Sequence, residues 1–302
     1  GLDVAGYHVW NITTHLVCVW LVFAWLRRVL RQPFVVGLVA PFTGDQVAGA
    51  VALLWAVHPL QTEAVDYVSA RTETTMALCC LITLYAAWRA LAEPSRTAWQ
   101  SAAIVACALG MTAKESMVTA PLLVAAVDRA VVFDGWRQAW NERRRLYLGL
   151  AATWLVLAAL AVAMPRGHSA GYVDGLGPGF ETGVWTWLLN QAVLIPRYLR
   201  LAAWPSALVF DYGYPRPLVF STVAVPFIAL TAAVTLTLAL FLRRPRLGLV
   251  PFWFVVTLSP SSSLVPIVTE VGAERRMYLP LLALMLACVL AVAAMCRRRR
   301  GE

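Results

Sequence analysis

The stretch HPLQTEAVDYVSARTE (58–73) holds Glu63, Asp66, Glu73 and Arg71 close together in a chain with only 14% charged residues. A carboxylate within reach of a hydroxyl can take its proton, and a guanidinium can hold a phosphate through two parallel bonds. Pro59 should end a preceding helix, and Thr62 is a fair N-cap for a short one with Glu63 in its first turn. At helical spacing Glu63, Asp66 and Glu73 share one face, with Tyr67 and Arg71 on the next. Glu63 and Asp66 are the candidate proton acceptors. His58 and Glu73 are candidate pocket residues beside them.

Three further segments carry similar chemistry. Lys114-Glu115 contains the only lysine of the protein. A compact ammonium suits a phosphate oxygen, and the plain alternative is a surface pair with Glu115. Arg275 and Arg276 stand together in a run containing Glu270, Glu274 and Tyr278. They are a candidate phosphate fork, or they only pair with Glu270 and Glu274. The stretch 198–215 brings Arg200 and Asp211 among Tyr198, Trp204, Tyr212 and Tyr214, which suits a sugar or a peptide and equally suits a capped turn. No spacing marks a metal site. The glycine-rich 171–180 lacks the Lys-Ser/Thr and flanking strand of a phosphate-binding P-loop.

The elements that must position these groups are apolar helices. The chain has 302 residues, 60% of them hydrophobic, and a mean hydropathy of +0.69. A soluble protein carries roughly 25% charged residues, so this surface faces lipid. About nine spanning helices are predicted, near 8–30, 45–59, 75–92, 98–113, 116–134, 146–164, 219–242, 246–259 and 279–296, forming one polytopic membrane domain over 1–302. The segment 183–205 is predicted to lie re-entrant or interfacial, either as a lid over a lipid-linked substrate or as a plain anchor. All six cysteines lie in apolar segments and read as free core or lipid-facing residues. The Asn11-Ile12-Thr13 sequon falls inside an apolar helix and should be unused.

Charge sets the orientation. Arginines cluster at 27–31, 89–96, 129–145, 243–246 and 297–300, after alternate spans, and so mark the cytoplasmic side. The net charge of +9 is therefore topology rather than a nucleic-acid footprint. Every candidate site acid and cation falls on the other side, where ionisable groups at helix ends in a membrane protein are functional candidates.

HPLQTEAVDYVSARTE, Lys114-Glu115, YLRLAAWPSALVFDYGYP (198–215) and SSSLVPIVTEVGAERRMYLP (261–280) together resemble, in the same order, motifs of the transmembrane and tetratricopeptide-repeat O-mannosyltransferases and their bacterial relatives. The resemblance covers nearly the whole chain. It implies a GT-C type, all-α glycosyltransferase that takes a sugar, usually mannose, from a polyprenyl-phosphate carrier. Transfer is to a Ser or Thr hydroxyl, with inversion, at the non-cytoplasmic face. On that reading Arg71, Lys114, Arg275 and Arg276 hold the donor phosphate. Glu63 or Asp66 serves as base, and His58, Glu73, Glu115, Arg200, Asp211, Glu274 and Tyr278 line the pocket. No cofactor is implied; the partners are membrane lipid, the lipid-linked donor and an acceptor polypeptide, with no nucleic acid. The resemblance also implies a spanning helix and an acidic outer loop upstream of Gly1, where the family's base lies, and a repeat domain, either truncated here or never present. Ala70 stands where the family often has Gly, and Leu281 follows Pro280 where a small polar residue is common, which leaves sugar and acceptor open. Arginine-rich, lysine-poor usage points to a bacterial inner membrane with a periplasmic site; in a eukaryote the site would face the endoplasmic reticulum lumen. The rival readings are a lipid-linked transferase or polymerase with a glycan or lipid acceptor, and a non-catalytic scaffold or transporter, though no inverted repeat or polar midplane marks a transporter.

Overall fold

A computed structural model describes residues 4–92, 96–163, 183–262 and 270–299. They form twelve helices: α1 (Ala5–Val29), α2 (Pro33–Val39), α3 (Gly44–Val57), α4 (Thr62–Asp66), α5 (Arg71–Ala92), α6 (Arg96–Ala113), α7 (Ala120–Val127), α8 (Trp136–Ala163), α9 (Val184–Ala203), α10 (Phe220–Arg243), α11 (Pro245–Ser262) and α12 (Pro280–Arg299). There is no strand among the described residues. The glycine-rich 171–180 lies outside them.

Five helices, α1, α5, α8, α10 and α12, are long and apolar enough to cross a membrane. The pair α2 and α3, bent by 65° at its break, makes a sixth if it is one span. The expected nine are thus not all met by length and composition. The segment foreseen at 116–134 is a 3₁₀ turn (Glu115–Thr119), the eight-residue α7 and a π turn (Asp128–Val132), and α6 and α11 have 18 residues each, about 27 Å of helix against a hydrocarbon core of about 30 Å. α9 is not among the helices apolar enough to cross.

The core lies where α1 packs on α3 and α5, α5 on α6, α6 on α8, and α12 on α3 and α11. Trp55, Tyr198 and Tyr278 are fully buried in it. α10 stands at the edge, with only 6% of its apolar window buried, as a lipid-facing helix should.

The ends of the helices differ in charge. Arg27 and Arg28 close α1, Arg89 closes α5, Arg243 closes α10 and Arg297 to Arg299 close α12, where a cation also complements the negative end of the helix dipole. These ends meet one another. Arg27 and Arg31 reach Asp45 at the start of α3, and Arg297 reaches the carbonyl of Gly37. Arg96 reaches the carbonyl of Glu142 at 2.5 Å. The opposite ends of α1, α3 and α5 carry the acid-rich 58–73 stretch. The six cysteines are free. Asn11 is fully buried and its amide donates to the carbonyl of Tyr67 at 3.1 Å, so the sequon is built into the fold.

Candidate functional site

The 58–73 stretch is not the single helix that its spacing suggested. α3 ends at Val57 and His58 caps a 3₁₀ turn, Pro59–Gln61, by accepting from the N–H of Leu60 through Nδ1 at 3.2 Å. Its Nε2 donates to the carbonyl of Ala202 at 3.0 Å. With both nitrogens committed, His58 is a neutral strut to α9 rather than a pocket acid or base. Burial lowers its pKa further, partly offset by the Ala202 bond. Thr62 is not the N-cap: α4 starts directly from the 3₁₀ turn, with Gln61 at that position. A second 3₁₀ turn, Val68–Ala70, then breaks the register. Glu63 and Asp66 therefore remain together, whereas Glu73 moves onto α5.

Glu63 is buried and meets Arg275 across 212 residues of sequence. Its Oε1 takes the guanidinium Nη1, and its Oε2 accepts the Arg275 main-chain N–H at 2.9 Å. The other guanidinium arm donates to Glu270 at 2.5 Å. Burial pushes the Glu63 carboxyl above the usual range, although Arg275 pulls the other way. Arg275 stays firmly charged: burial alone would lower its pKa, but Glu270 and Glu63 together raise it. Asp66 is exposed and has no hydrogen-bond or ion-pair partner among the described residues.

Arg276 takes a different part. It is buried, and its guanidinium donates to the carbonyls of Glu270 (2.7 Å) and Val271 (3.2 Å) over the ring of Trp187. It closes the turn from which Arg275 projects. α9 braces the same turn. Gln191 donates to the carbonyl of Val271 at 3.0 Å, and the Tyr198 hydroxyl accepts the N–H of Ala273 at 2.8 Å. A side chain on Gly272 would meet that hydroxyl at 2.9 Å. Between its readings as lid and anchor, α9 proves to be a template for the arginine turn. Tyr278, expected in the pocket, lies fully buried instead. Its hydroxyl binds Nδ1 of His15 at 2.7 Å, while His15 Nε2 donates to the carbonyl of Ala56 at 3.1 Å and Trp55 donates to the Tyr278 carbonyl at 2.8 Å. It ties the turn to α1 and α3.

Glu274 accepts from the N–H of Val209 at 2.7 Å and from the Tyr212 hydroxyl at 3.0 Å, which pins the extended 204–219 segment over the site. Burial, and Glu274 after it, push the Tyr212 pKa up, so that hydroxyl remains a donor. Asp211 is exposed and serves a turn, accepting from the N–H of Gly213 at 2.7 Å. Gly213 has φ +69°, a backbone that a glycine adopts without cost. Its carbonyl then receives the N–H of Val271 at 3.0 Å. Arg200 is exposed on α9, and its carbonyl closes that helix by accepting from Trp204 at 2.7 Å.

Lys114 pairs with Glu73 rather than with its neighbour Glu115, which starts the 3₁₀ turn after it. Arg71 opens α5, exposed, with its guanidinium 5.4 Å from the centre of the Tyr7 ring and no carboxylate partner among the described residues.

Two cavities result. One, of about 330 Å³, is lined by Glu63, Asp66, Tyr67 and Glu274 with Leu208 and Phe210. The other, of about 540 Å³, is lined by Arg71, Thr72, Thr75, Tyr7, Trp10 and Ala113. Tyr7 of α1 flanks the second cavity, and Asn11, one turn further on, donates to the carbonyl of Tyr67, which flanks the first. The four candidate cations are thus divided. Arg71 and Lys114 stand by the larger cavity, and Arg275 and Arg276 stand behind the carboxylates of the smaller. Sequence reasoning missed Gln191 and His15; as polar residues inside apolar runs, they carried no local signal. Among the described residues, no cluster of three His, Cys, Asp or Glu side chains could hold a metal ion.

The chain is similar in sequence to known proteins. Two fruit-fly (Drosophila melanogaster) proteins are similar to the chain: Protein O-mannosyl-transferase Tmtc2, 28% identical over 214 residues, and Protein O-mannosyl-transferase Tmtc1, 28% identical over 231. The matches cover 69% and 70% of this chain but only 21% and 25% of those proteins, so the chain spans about a fifth to a quarter of their length. No solved structure matches. The family model for dolichyl-phosphate-mannose-protein mannosyltransferases matches residues 9–163, just over half of the chain, and the chain belongs to that family.

Proposed function

We propose that this chain is the membrane-embedded part of an enzyme that moves a sugar, mannose by family, from a polyprenyl-phosphate carrier to a Ser or Thr hydroxyl at the non-cytoplasmic membrane face. The observation that carries the reading is that the 58–73 stretch borders two cavities, one presenting an arginine and the other carboxylates, and is joined to 114 and 275 by the Glu73–Lys114 and Glu63–Arg275 pairs. The orientation rests on the arginine-rich helix ends gathered at the other pole. Nine passes would bring the helix ends to these sides in turn, with α9 lying along the outer face.

Arg71 is the first anchor of the donor phosphate, because its guanidinium lines the larger cavity between the threonines Thr72 and Thr75 and pairs with no carboxylate among the described residues. Lys114 adds charge beside it. Arg275 is the second arm, and Arg276 holds that arm in place. As the bond from sugar to phosphate breaks, negative charge grows on the phosphate, and fixed cations favour that state over the ground state. Glu63 is placed to accept the proton of the attacking hydroxyl, with a carboxyl pushed toward neutral pH by burial. Asp66 is the alternative base on the same cavity wall.

The test is transfer by the full-length membrane protein, supplied with radiolabelled mannosyl polyprenyl phosphate and a Ser/Thr-rich peptide, with Arg71→Ala alongside. Label in the peptide that falls away in the variant supports the donor and the site. Consumption of the donor with label in a glycan or lipid would move the acceptor class. A folded protein that leaves the donor intact would defeat the reading.

A further inference from the structure

A third cavity, of about 340 Å³, lies between α9, α10 and α11 and shares no lining residue with the two that border 58–73. Its wall along α11 runs from Phe254 to Ser262, about 12 Å at helical rise. α10 forms another wall, and only 6% of that helix's apolar window is buried, so the cavity is a groove on the lipid side. Among the described residues, none that lines it is charged.

Two polar side chains in this apolar wall stand out. Gln191 is 1% exposed and Ser262 is 6% exposed, and neither Gln191 Oε1 nor Ser262 Oγ has a hydrogen-bond partner among the described residues. Buried polar atoms are nearly always paired, because an orphan keeps its desolvation cost. The orientation of the Gln191 amide is fixed by its other end: Nε2 donates to the carbonyl of Val271 at 3.0 Å, where an oxygen would face an oxygen. The remaining hydroxyls of the wall are engaged with their own helices. Thr231, Thr235 and Ser259 donate to the carbonyls of Phe227, Thr231 and Val256 at 2.9, 2.8 and 2.9 Å. They offer the groove lone pairs only. Gln191 Oε1 is likewise an acceptor, and Ser262 alone can also donate.

This chemistry selects a ligand. With no charge in the wall, a phosphate or an ammonium head would be buried without a partner, so the head is neutral. With acceptors in excess, the head must carry a donor. A hydroxyl does both things required of it: it donates to Gln191 Oε1 and accepts from Ser262. The volume is near the lower end of the about 300–1,000 Å³ usual for a small bound molecule, enough for one chain rather than two. We propose that the groove between α9, α10 and α11 binds a neutral, single-chain lipid alcohol, with its hydroxyl between Gln191 and Ser262 and its chain along α10 and α11.

The site is wired to the arginine turn. The Val271 carbonyl that takes Gln191 Nε2 also accepts from Arg276 at 3.2 Å. A donor on Oε1 polarises the amide and strengthens its N–H, as hydrogen bonds in a chain do. A bound alcohol therefore stiffens the turn through one side chain, at a point that neither of the other cavities touches.

The experiment is photolabelling of the full-length protein in phosphatidylcholine nanodiscs with octadecanol carrying a mid-chain diazirine and a terminal alkyne. The same chain is used as its methyl ether, which cannot donate, and as its methyl phosphodiester, which is charged. The alcohol should label peptides within 227–262 saturably, at about tenfold lower half-saturation than either analogue, the worth of one buried hydrogen bond. Gln191→Met and Ser262→Ala should each narrow that preference severalfold. The alcohol, and not the ether, should slow hydrogen exchange in 271–276. Equal half-saturation for the three heads would make the groove a seat for any acyl or prenyl chain and overturn the proposal. Tighter phosphodiester labelling, label confined to other helices, or an undiminished preference in Ser262→Ala would overturn it too. Unchanged exchange in 271–276 would sever the link to the turn. The wild-type head series and Ser262→Ala decide the binding even if Gln191→Met, which also gives up the Val271 bond, fails to fold. No sugar donor or acceptor enters the measurement, so its failure and that of the transfer assay are distinct.

Discussion

Two carboxylate–guanidinium pairs stand toward opposite poles of this molecule, and they share chemistry but not surroundings. At the acid-rich pole Glu63 and Arg275 have side chains 5% and 21% exposed, and Glu63 borders a cavity. At the arginine-rich pole the side chains of Asp128 and Arg143 are 3% and 1% exposed and 2.5 Å apart. Arg143 also donates to the carbonyl of Ala87 at 2.5 Å, and Tyr147 donates to the second oxygen of Asp128 at 2.6 Å. Arg143 leaves helical geometry (φ −130°, ψ 16°) inside α8 to reach them, and Asp128 begins a π turn. Arg71 and Ala87 lie 16 residues apart on α5, roughly 24 Å at helical rise. What separates a structural pair from a reactive one here is not the pairing. It is whether one partner borders open space and whether every remaining arm is already tied to the fold.

Four experiments would break or sharpen that contrast. Glu63→Gln should lower transfer by about 10²- to 10⁴-fold, the usual worth of a general base, while folded yield and Tm stay near wild type. A loss of folding instead would make the outer pair structural too. Arg143→Gln should do the reverse. It strands a buried carboxylate at a cost of about 3–5 kcal/mol, so Tm and folded yield fall while activity per folded molecule survives. Asp128→Leu with Arg143→Met should recover much of that stability, since neither charge is then left alone. Arg71→Ala should cost about 1.5–3 kcal/mol of donor interaction, roughly ten- to 150-fold in kcat/KM for the donor, because its phosphate bond is charge-assisted. Unchanged donor kinetics would move the phosphate away from the larger cavity.

The pH profile gives the finest division. A base whose pKa is raised in the free enzyme loses activity as pH falls through that raised value, since the protonated carboxyl accepts nothing. The acid limb of kcat/KM should therefore lie above the usual glutamate range of about 4.3. In Arg275→Gln the limb should move higher still, because the one cation holding it down is gone. Asp211→Ala should have the smallest effect, about 1 kcal/mol or less of stability from the lost turn bond and no change in the limb.

Much of this was legible before any coordinates. Alternating arginine clusters mark helix ends, because a cation at the C-terminal turn and on the cytoplasmic side is favoured twice over. Pro59 stops a helix for want of an N–H. Glu63, Arg71, Lys114 and Arg275 stand out because charge is costly in an apolar chain and needs a reason to be there. The errors are as instructive. Thr62 has an N-cap's chemistry, but the helix already extended back through a 3₁₀ turn. Glu73 shares a helical face with Glu63 only if the helix is unbroken, and the turn at Val68–Ala70 breaks it. His58 and Tyr278 look like site residues by type, yet each has its polar atoms tied to distant backbone or side chains. The count of nine spans followed apolar runs and charge alternation, whereas length and composition alone mark five helices, or six with the bent pair, among the described residues.

By itself, then, the sequence determined the solvent, the helical class, the charge asymmetry and the small set of groups able to do chemistry. These follow from composition and from periodicity within a single segment. Only the tertiary structure decided which carboxylate meets which cation. Glu63 chose Arg275, Lys114 chose Glu73, and Arg71 was left to an aromatic ring. Those choices rest on packing between segments as far apart as 212 residues, and no local spacing encodes them.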